Sequence, residues 1–260
     1  MLRMTTPLQS ITEANRASWN QIAPARHGQP ADFFKSGGLV LEDFEQELAG
    51  DVRGKRILQL ACSCGDEVLS WANLGATATG IDISEVAIQL AQQKATAAGI
   101  DADFRQADMY DLPPDLTNLD LIYLSWGAIC WAPDLNLLAQ SLTTCLSSGG
   151  SILIADHHPI WEVLAVRNEN HLTVTADYFG RTIPRPHIDD AKLPVGARGT
   201  DDPPPFTAFI WPTSDVVMAL LTAGLRLDTF TESPAPDLYP TLGPTASHLP
   251  AYYVIKATKP

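Results

Sequence analysis

With 260 residues, 45% of them hydrophobic, the chain has enough apolar surface for one large α/β domain and too little length for two full-sized ones. A formal net charge of −13 with no basic run excludes nucleic acid as an expected partner, because displacing counterions from phosphates takes clustered Lys and Arg. No apolar run reaches about 18 residues, and the start, MLRMTTPLQS, lacks the apolar segment of a signal peptide, so the expected location is the cytoplasm, with no membrane partner.

Residues 1–50 hold two amphipathic patterns, ITEANRASWNQIA and GGLVLEDFEQELA, joined by a polar loop with His27 and the pair Phe33-Phe34. They form a helical arm ahead of the main domain, which covers residues 51–260. Trp19 and the Phe pair have two readings: packing of the arm on the domain, or a lid over a ligand.

The domain opens with RILQLACSCGDEVLSWANLGATATGID, Arg56 to Asp82. A short apolar strand stops at small residues (Ala61, Ser63, Gly65) and passes into a helix in which Val68, Leu69, Ala72 and Leu74 share a face. A second strand, rich in β-branched residues, carries Asp82 about 20 residues beyond the turn, where a carboxylate can accept both ribose hydroxyls, with Ile83 beside it. The turn departs from GxGxxG, and the acidic pair Asp66-Glu67 at the helix start opposes a pyrophosphate but not a cationic ligand. The four cysteines, Cys62, Cys64, Cys130 and Cys145, fall in expected core segments. The one-residue gap between Cys62 and Cys64 is wrong for a zinc pair, so all four read as buried small hydrophobes and no metal is expected.

Ser84 is a suitable N-cap for the next helix, and Gly99 stops it. The strand ADFRQAD ends at Asp108, followed by Met109. The nearly all-apolar strand LDLIYLSW, patterned for burial on both faces, ends in Ser125-Trp126-Gly127. Trp126 and Trp131 either line a substrate cavity or pack the core. Pro133-Asp134 opens the helix LNLLAQSLTTCL, SSGG makes a turn, and SILIADHHP is a fifth strand. Over residues 160–211 prolines gather (Pro184, Pro186, Pro194 and Pro203 to Pro205) and periodicity fades, which marks an insertion. A helix over Ser214 to Ala223 and the strands LRLDTFTES and AYYVIKAT complete the domain, the last two as an antiparallel edge.

These elements resemble the class I S-adenosylmethionine-dependent methyltransferases. Ala61 and Ser63 stand where the family's first two turn glycines are usual, and Gln59 where an acidic residue is often seen. The wider likeness is to a bacterial group of small-molecule methyltransferases, carried by Asn15-Arg16-Ala17-Ser18-Trp19-Asn20, by Leu69 to Asp82 and by His158-Pro159. The resemblance implies a Rossmann-like, seven-stranded, mostly parallel sheet with helices on both faces, an N-terminal helical arm, and a substrate lid in the insertion after strand five. It implies S-adenosylmethionine as cofactor, S-adenosylhomocysteine as product, and a small-molecule acceptor methylated at O or N. The cofactor contacts expected are Trp19, Ala61, Cys62, Ser63, Gly65, Asp82 with Ile83, Asp108 at the adenine amine, Met109 against its ring, and Ser125, Trp126 and Gly127 at the floor.

A hydroxyl, phenol or ammonium acceptor must lose a proton, which a histidine can take. His157 and His158 end strand five and point to opposite faces, so one faces the crevice. The turn position favours His158, with Asp156 to orient it, over His157; His27 and His187 are weaker candidates. Two alternatives stay open: an NAD-dependent oxidoreductase on the same topology, and a cofactor-binding protein without methyl transfer, such as a cyclase.

Overall fold

The computed structural model describes residues 7–168, 171–181, 194, 197–198 and 204–260. Helix α1 (Pro7–Ile22), two short helices, α2 (Ala31–Lys35) and α3 (Asp43–Ala49), and a single turn at Ala23–Ala25 make up the arm. Of the second amphipathic pattern only the last turns are helical. Phe34 belongs to the core, 1% exposed, with Phe33 edge-on against it, so for this pair packing, not a lid, is the outcome.

The central sheet follows as β1 (Arg56–Leu60), α4 (Asp66–Asn73), β2 (Thr77–Asp82), α5 (Glu85–Ala98), β3 (Asp103–Gln106), β4 (Leu119–Ser125), α6 (Leu135–Cys145) and β5 (Leu146–His157). Local signals place the helix ends. Ser84 Oγ accepts the Ala87 amide at 3.1 Å to start α5, Gly99 at φ 70° ends it, and Asp134 Oδ1 accepts the Leu137 amide at 2.9 Å to start α6.

After β5 come α7 (Pro159–Val163) and a hairpin outside the main sheet, β6 (Leu164–Asn168) and β7 (His171–Val174). The chain closes with α8 (Thr213–Thr222), β8 (Arg226–Ser233) and β9 (Tyr252–Thr258). The seven strands lie in the order β3-β2-β1-β4-β5-β9-β8. β9 is antiparallel to both neighbours, so β8, beyond it, runs with the parallel strands and only β9 opposes them. The SSGG segment is part of β5, not a separate turn. It forms a bulge where the register with β4 jumps from Leu119 opposite Leu146 to Leu121 opposite Ser151.

Both faces of the sheet are covered. Leu58, Leu60, Ile122, Leu124, Ile152 and Ile154 pack with α6 and α8 on one side. Ile57, Tyr123 and Leu153 pack with α4, α5 and the arm on the other. Gly80 on β2 has no room for a side chain, because a Cβ there would sit 2.8 Å from Cys62 Sγ and 2.9 Å from both Val68 and Phe104. No helix among the described residues is long and apolar enough to cross a membrane.

Candidate active site

The carboxyl ends of β1, β2 and β4 open onto a cleft that encloses about 850 Å³, part of it open to solvent. Parallel strands put all their carboxyl ends on one rim, so turns far apart in sequence converge there. At the first turn, Ala61, Ser63 and Gly65 have φ of 53°, 49° and 84°. The chain thus takes the left-handed backbone that glycine adopts without cost, with Ala and Ser in two of the three places. The Cys62 amide donates to the Ile81 carbonyl at 3.0 Å and the Gly65 amide to the Cys62 carbonyl at 2.9 Å, which closes the turn.

Asp82 ends β2 and is tied to the backbone on both sides. Its Oδ2 accepts the Ser63 amide and its Oδ1 the Ser84 amide, each at 2.8 Å. Burial pushes its carboxyl pKa up, while those amides and the nearby Arg26 favour the ionised form. Each carboxylate oxygen can accept a second hydrogen bond, so Asp82 is fixed in place with capacity left for a ligand diol.

Of the residues expected at the cofactor, Trp19, Ala61, Ser63, Asp82, Ile83, Asp108, Met109, Ser125, Trp126 and Gly127 line the cleft. Asp108 Oδ1 accepts the Tyr110 amide at 3.0 Å, which holds the carboxylate at its turn. Ser125 Oγ accepts from Gln59 Nε2 at 3.2 Å, so the residue that replaces the usual β1 acid organises the floor from behind. Cys62 and Gly65 differ from expectation, as neither side lines the cleft. The Cys62 side chain turns into the core, 1% exposed, and burial raises its thiol pKa strongly. A Cβ on Gly65 would meet Phe104 at 2.6 Å, so its role is to let β3 pack against the turn.

The arm contributes residues that pattern reading missed: Thr12, Asn15 and Arg26 also line the cleft. The Arg26 guanidinium lies 5.2 Å from the Trp19 ring centre, and its Nε donates to Ser63 Oγ at 3.1 Å. Its loop is clamped to α4 and α5. Asp66 Oδ2 accepts the Gln29 amide at 2.6 Å, Lys94 Nζ donates to the His27 carbonyl at 2.8 Å, and Lys94 pairs with Asp66. Gly28, at φ +56°, leaves space that a Cβ would lose to the Asp66 carboxylate. The only advance sign of Arg26 is a lone cation seven residues beyond Trp19 in an acidic chain.

Neither candidate histidine lines this cleft, and the preference between them is reversed. His158, 5% exposed, is the N-cap of α7: its Nδ1 accepts the Ile160 amide at 3.0 Å and its Nε2 meets Glu232 Oε1 at 2.8 Å. Both ring nitrogens are engaged, and burial lowers its pKa against the pull of Glu232. Asp156 does not orient His158. It accepts the amides of Gly127, of Ile129 at 2.9 Å and of His157 at 2.7 Å, and so holds the turn after β4. His157 is the histidine beside the cleft, its ring 5.7 Å from that of Trp126 and its Nδ1 3.8 Å from Asp156. His27 contributes its carbonyl to Lys94, and His187 lies outside the described residues.

The donor set fits an adenosyl sulfonium: a fixed carboxylate for a diol, a second carboxylate one strand further for an amine, apolar walls, and one arginine. The comparisons with known proteins agree. Residues 57–150 match the model of a methyltransferase domain. The chain carries a methyltransferase domain. This methyltransferase is 25% identical over 188 residues to the ubiquinone biosynthesis O-methyltransferase of Bordetella avium, a match that covers 69% of this chain and 73% of that one. An S-adenosylmethionine-dependent methyltransferase from Mesorhizobium loti has a similar structure, with a TM-score of 0.61 and 24% identity over 82% of this chain and 95% of the other. The geranyl diphosphate C-methyltransferase of Streptomyces coelicolor, solved with S-adenosylhomocysteine, shares the fold across both whole chains with a TM-score of 0.63 at 14% identity. The cofactor is S-adenosylmethionine and the reaction a methyl transfer, which sets aside the oxidoreductase alternative.

Proposed function

We propose that the cleft binds S-adenosylmethionine with Asp82 on the ribose hydroxyls, Asp108 and Met109 at the adenine, and Arg26 at the amino-acid carboxylate. The observation that carries the reading is Asp82, with one backbone amide on each oxygen at the end of β2 and its remaining lone pairs available to the cleft. When bound, the cofactor supplies an electrophilic methyl group. The chain supplies placement and exclusion of water, which account for much of the rate of an in-line displacement.

The arm over residues 1–50 and the insertion over 160–211 act as the lid. Two contacts between α1 and residues 205–207 support this. Asn15 Nδ2 donates to the Thr207 carbonyl and Asn15 Oδ1 accepts the Thr207 amide, both at 2.8 Å, while Ser18 Oγ donates to the Pro205 carbonyl. Trp19 packs edge to face against Trp131 and Phe206, which are tilted to each other, with centroids 5.0 to 5.6 Å apart.

The acceptor atom is a hydroxyl oxygen, in keeping with the relative named an O-methyltransferase. The charge of −13 supports a small molecule rather than nucleic acid, and a cytoplasmic location remains part of this reading. Incubation of the protein with metabolite extract and methyl-labelled S-adenosylmethionine tests the proposal by mass spectrometry. A labelled small-molecule ether is the expected product, and cofactor binding with no labelled product from any extract would favour a protein without transfer activity.

A further inference from the structure

A continuous run of rings leads away from the cofactor cleft along the rim of the sheet. Phe44 on α3 stacks on Tyr252 of β9, centroids 5.7 Å apart and planes 19° from parallel. Tyr252 meets Trp126 at 5.6 Å, Trp126 meets His157 at 5.7 Å, and His157 stacks on Trp161 at 4.8 Å with planes 25° apart. Trp126 joins the two regions, since it also lines the cleft. Its backbone is held at φ 32°, a costly conformation for a bulky residue and one that gathers at functional positions. The Trp126 amide donates to the Ala155 carbonyl at 2.8 Å, and Asp156 accepts the Gly127 and Ile129 amides just after it, so the strain is fixed by its surroundings. The ring stays 36% exposed and the His157 side chain 24% exposed.

We infer that this row is the acceptor-binding surface, that it takes an uncharged planar hydroxyl compound of the phenol class, and that His157 removes the hydroxyl proton while Trp161 positions its ring. Flat partners stack on offset rings, which selects for planarity. The charged groups recorded around the His157 end of the row are carboxylates, whereas Arg226, Asp228 and Lys256 line a groove at its Phe44–Tyr252 end. Asp156 is 3.8 Å from His157 Nδ1, Glu162 lines a small cavity with His157, and Glu45 lies beneath, accepting from Tyr123 Oη at 2.6 Å. Cys130, Tyr253 and the apolar Phe209 and Trp211 also line that cavity. Acidic surroundings repel an anionic acceptor and favour an imidazolium. Trp161 is a rigid platform because its Nε1 donates to the Leu238 carbonyl at 3.1 Å, and an indole face parallel to the imidazole further favours the protonated ring. The acceptor oxygen forms its bond to the methyl carbon as the carbon–sulfur bond breaks, the electron pair stays on sulfur, and the hydroxyl proton passes to His157 and then to water.

The inference rests on the methyltransferase reading above, and its test separates the two. The full chain saturated with S-adenosylhomocysteine is titrated with catechol and with 3,4-dihydroxybenzoate, which differ by one carboxylate, and followed by tryptophan fluorescence and by ¹⁵N signals of the His157 ring. Catechol is expected to bind at least about tenfold tighter than the benzoate, as like charge disfavours the latter. Trp161→Leu should weaken catechol about 2- to 10-fold, the worth of a ring contact. The same variant should move the His157 titration about half a unit to one unit lower, with S-adenosylhomocysteine affinity unchanged. Trp161→Phe should restore much of both. His157→Gln should keep catechol binding and lower methyl transfer about 10²–10³-fold, the usual scale for a lost base. Binding of neither probe, preference for the benzoate, or a Trp161→Leu protein with unaltered binding and titration overturns the inference. Failure of the underlying reading looks different, because S-adenosylhomocysteine then does not bind.

Discussion

Ala61 and Ser63 hold the turn at φ of 53° and 49°, where a side chain costs about 1–2 kcal/mol that glycine avoids. Glycine also carries a larger entropy in the unfolded chain, worth roughly 0.5–1 kcal/mol against it. Ala61→Gly should therefore be neutral or stabilising by up to about 1 kcal/mol in urea unfolding, whereas Ala61→Val should destabilise by more than about 2 kcal/mol through its β-branched carbon. A stabilising valine would show that the backbone here is not the one described. The sequence displays the departure from glycine but not its consequence. The turn keeps its shape because the Ser63 amide has Asp82 to bind and the Cys62 amide has Ile81. The two histidines teach a related lesson. Strand alternation tells that the two point to opposite faces, but which one comes to lie beside the cleft depends on Pro159, which starts α7 and makes His158 its cap.

At the scale of elements, the proposed lid is held by Asn15, which bonds both polar backbone groups of Thr207, and by Ser18 on the Pro205 carbonyl. Asn15→Ala removes two hydrogen bonds, worth about 1–3 kcal/mol together. S-adenosylhomocysteine should then leave roughly 5- to 100-fold faster in a stopped-flow displacement, with a smaller change in its association rate. An unchanged release rate would detach the arm from cofactor retention. Most of the strands and crossover helices were legible in sequence because each carries its own periodicity and caps, as Ser84, Gly99 and Asp134 do. The place and direction of β9 between β5 and β8 were not, since alternation in AYYVIKAT says nothing about which strand it pairs with. The β6–β7 hairpin is likewise a matter of pairing, in a segment read only as an irregular insertion.

For the molecule as a whole, the acidic chain places its few cations with economy. Lys94 is spent on Asp66 and the loop that carries Arg26, and Arg26 is the cation that lines the cleft. Most of the cleft was legible because parallel strands bring their carboxyl ends to one rim, whatever the intervening sequence. The arm's share was not, because Thr12, Asn15 and Arg26 reach the cleft only through tertiary docking on α5 and on residues 205–207. The central claim is that Asp82 fixes a nucleoside sulfonium in this cleft. Isothermal titration of the wild-type chain and the Asp82→Ala variant with S-adenosylhomocysteine, and in parallel with NAD, tests it most directly. The account predicts binding of S-adenosylhomocysteine alone, weakened by about 1–3 kcal/mol in the folded variant through lost hydrogen bonds; binding of NAD in its place, or equal affinity of both proteins for S-adenosylhomocysteine, would contradict it.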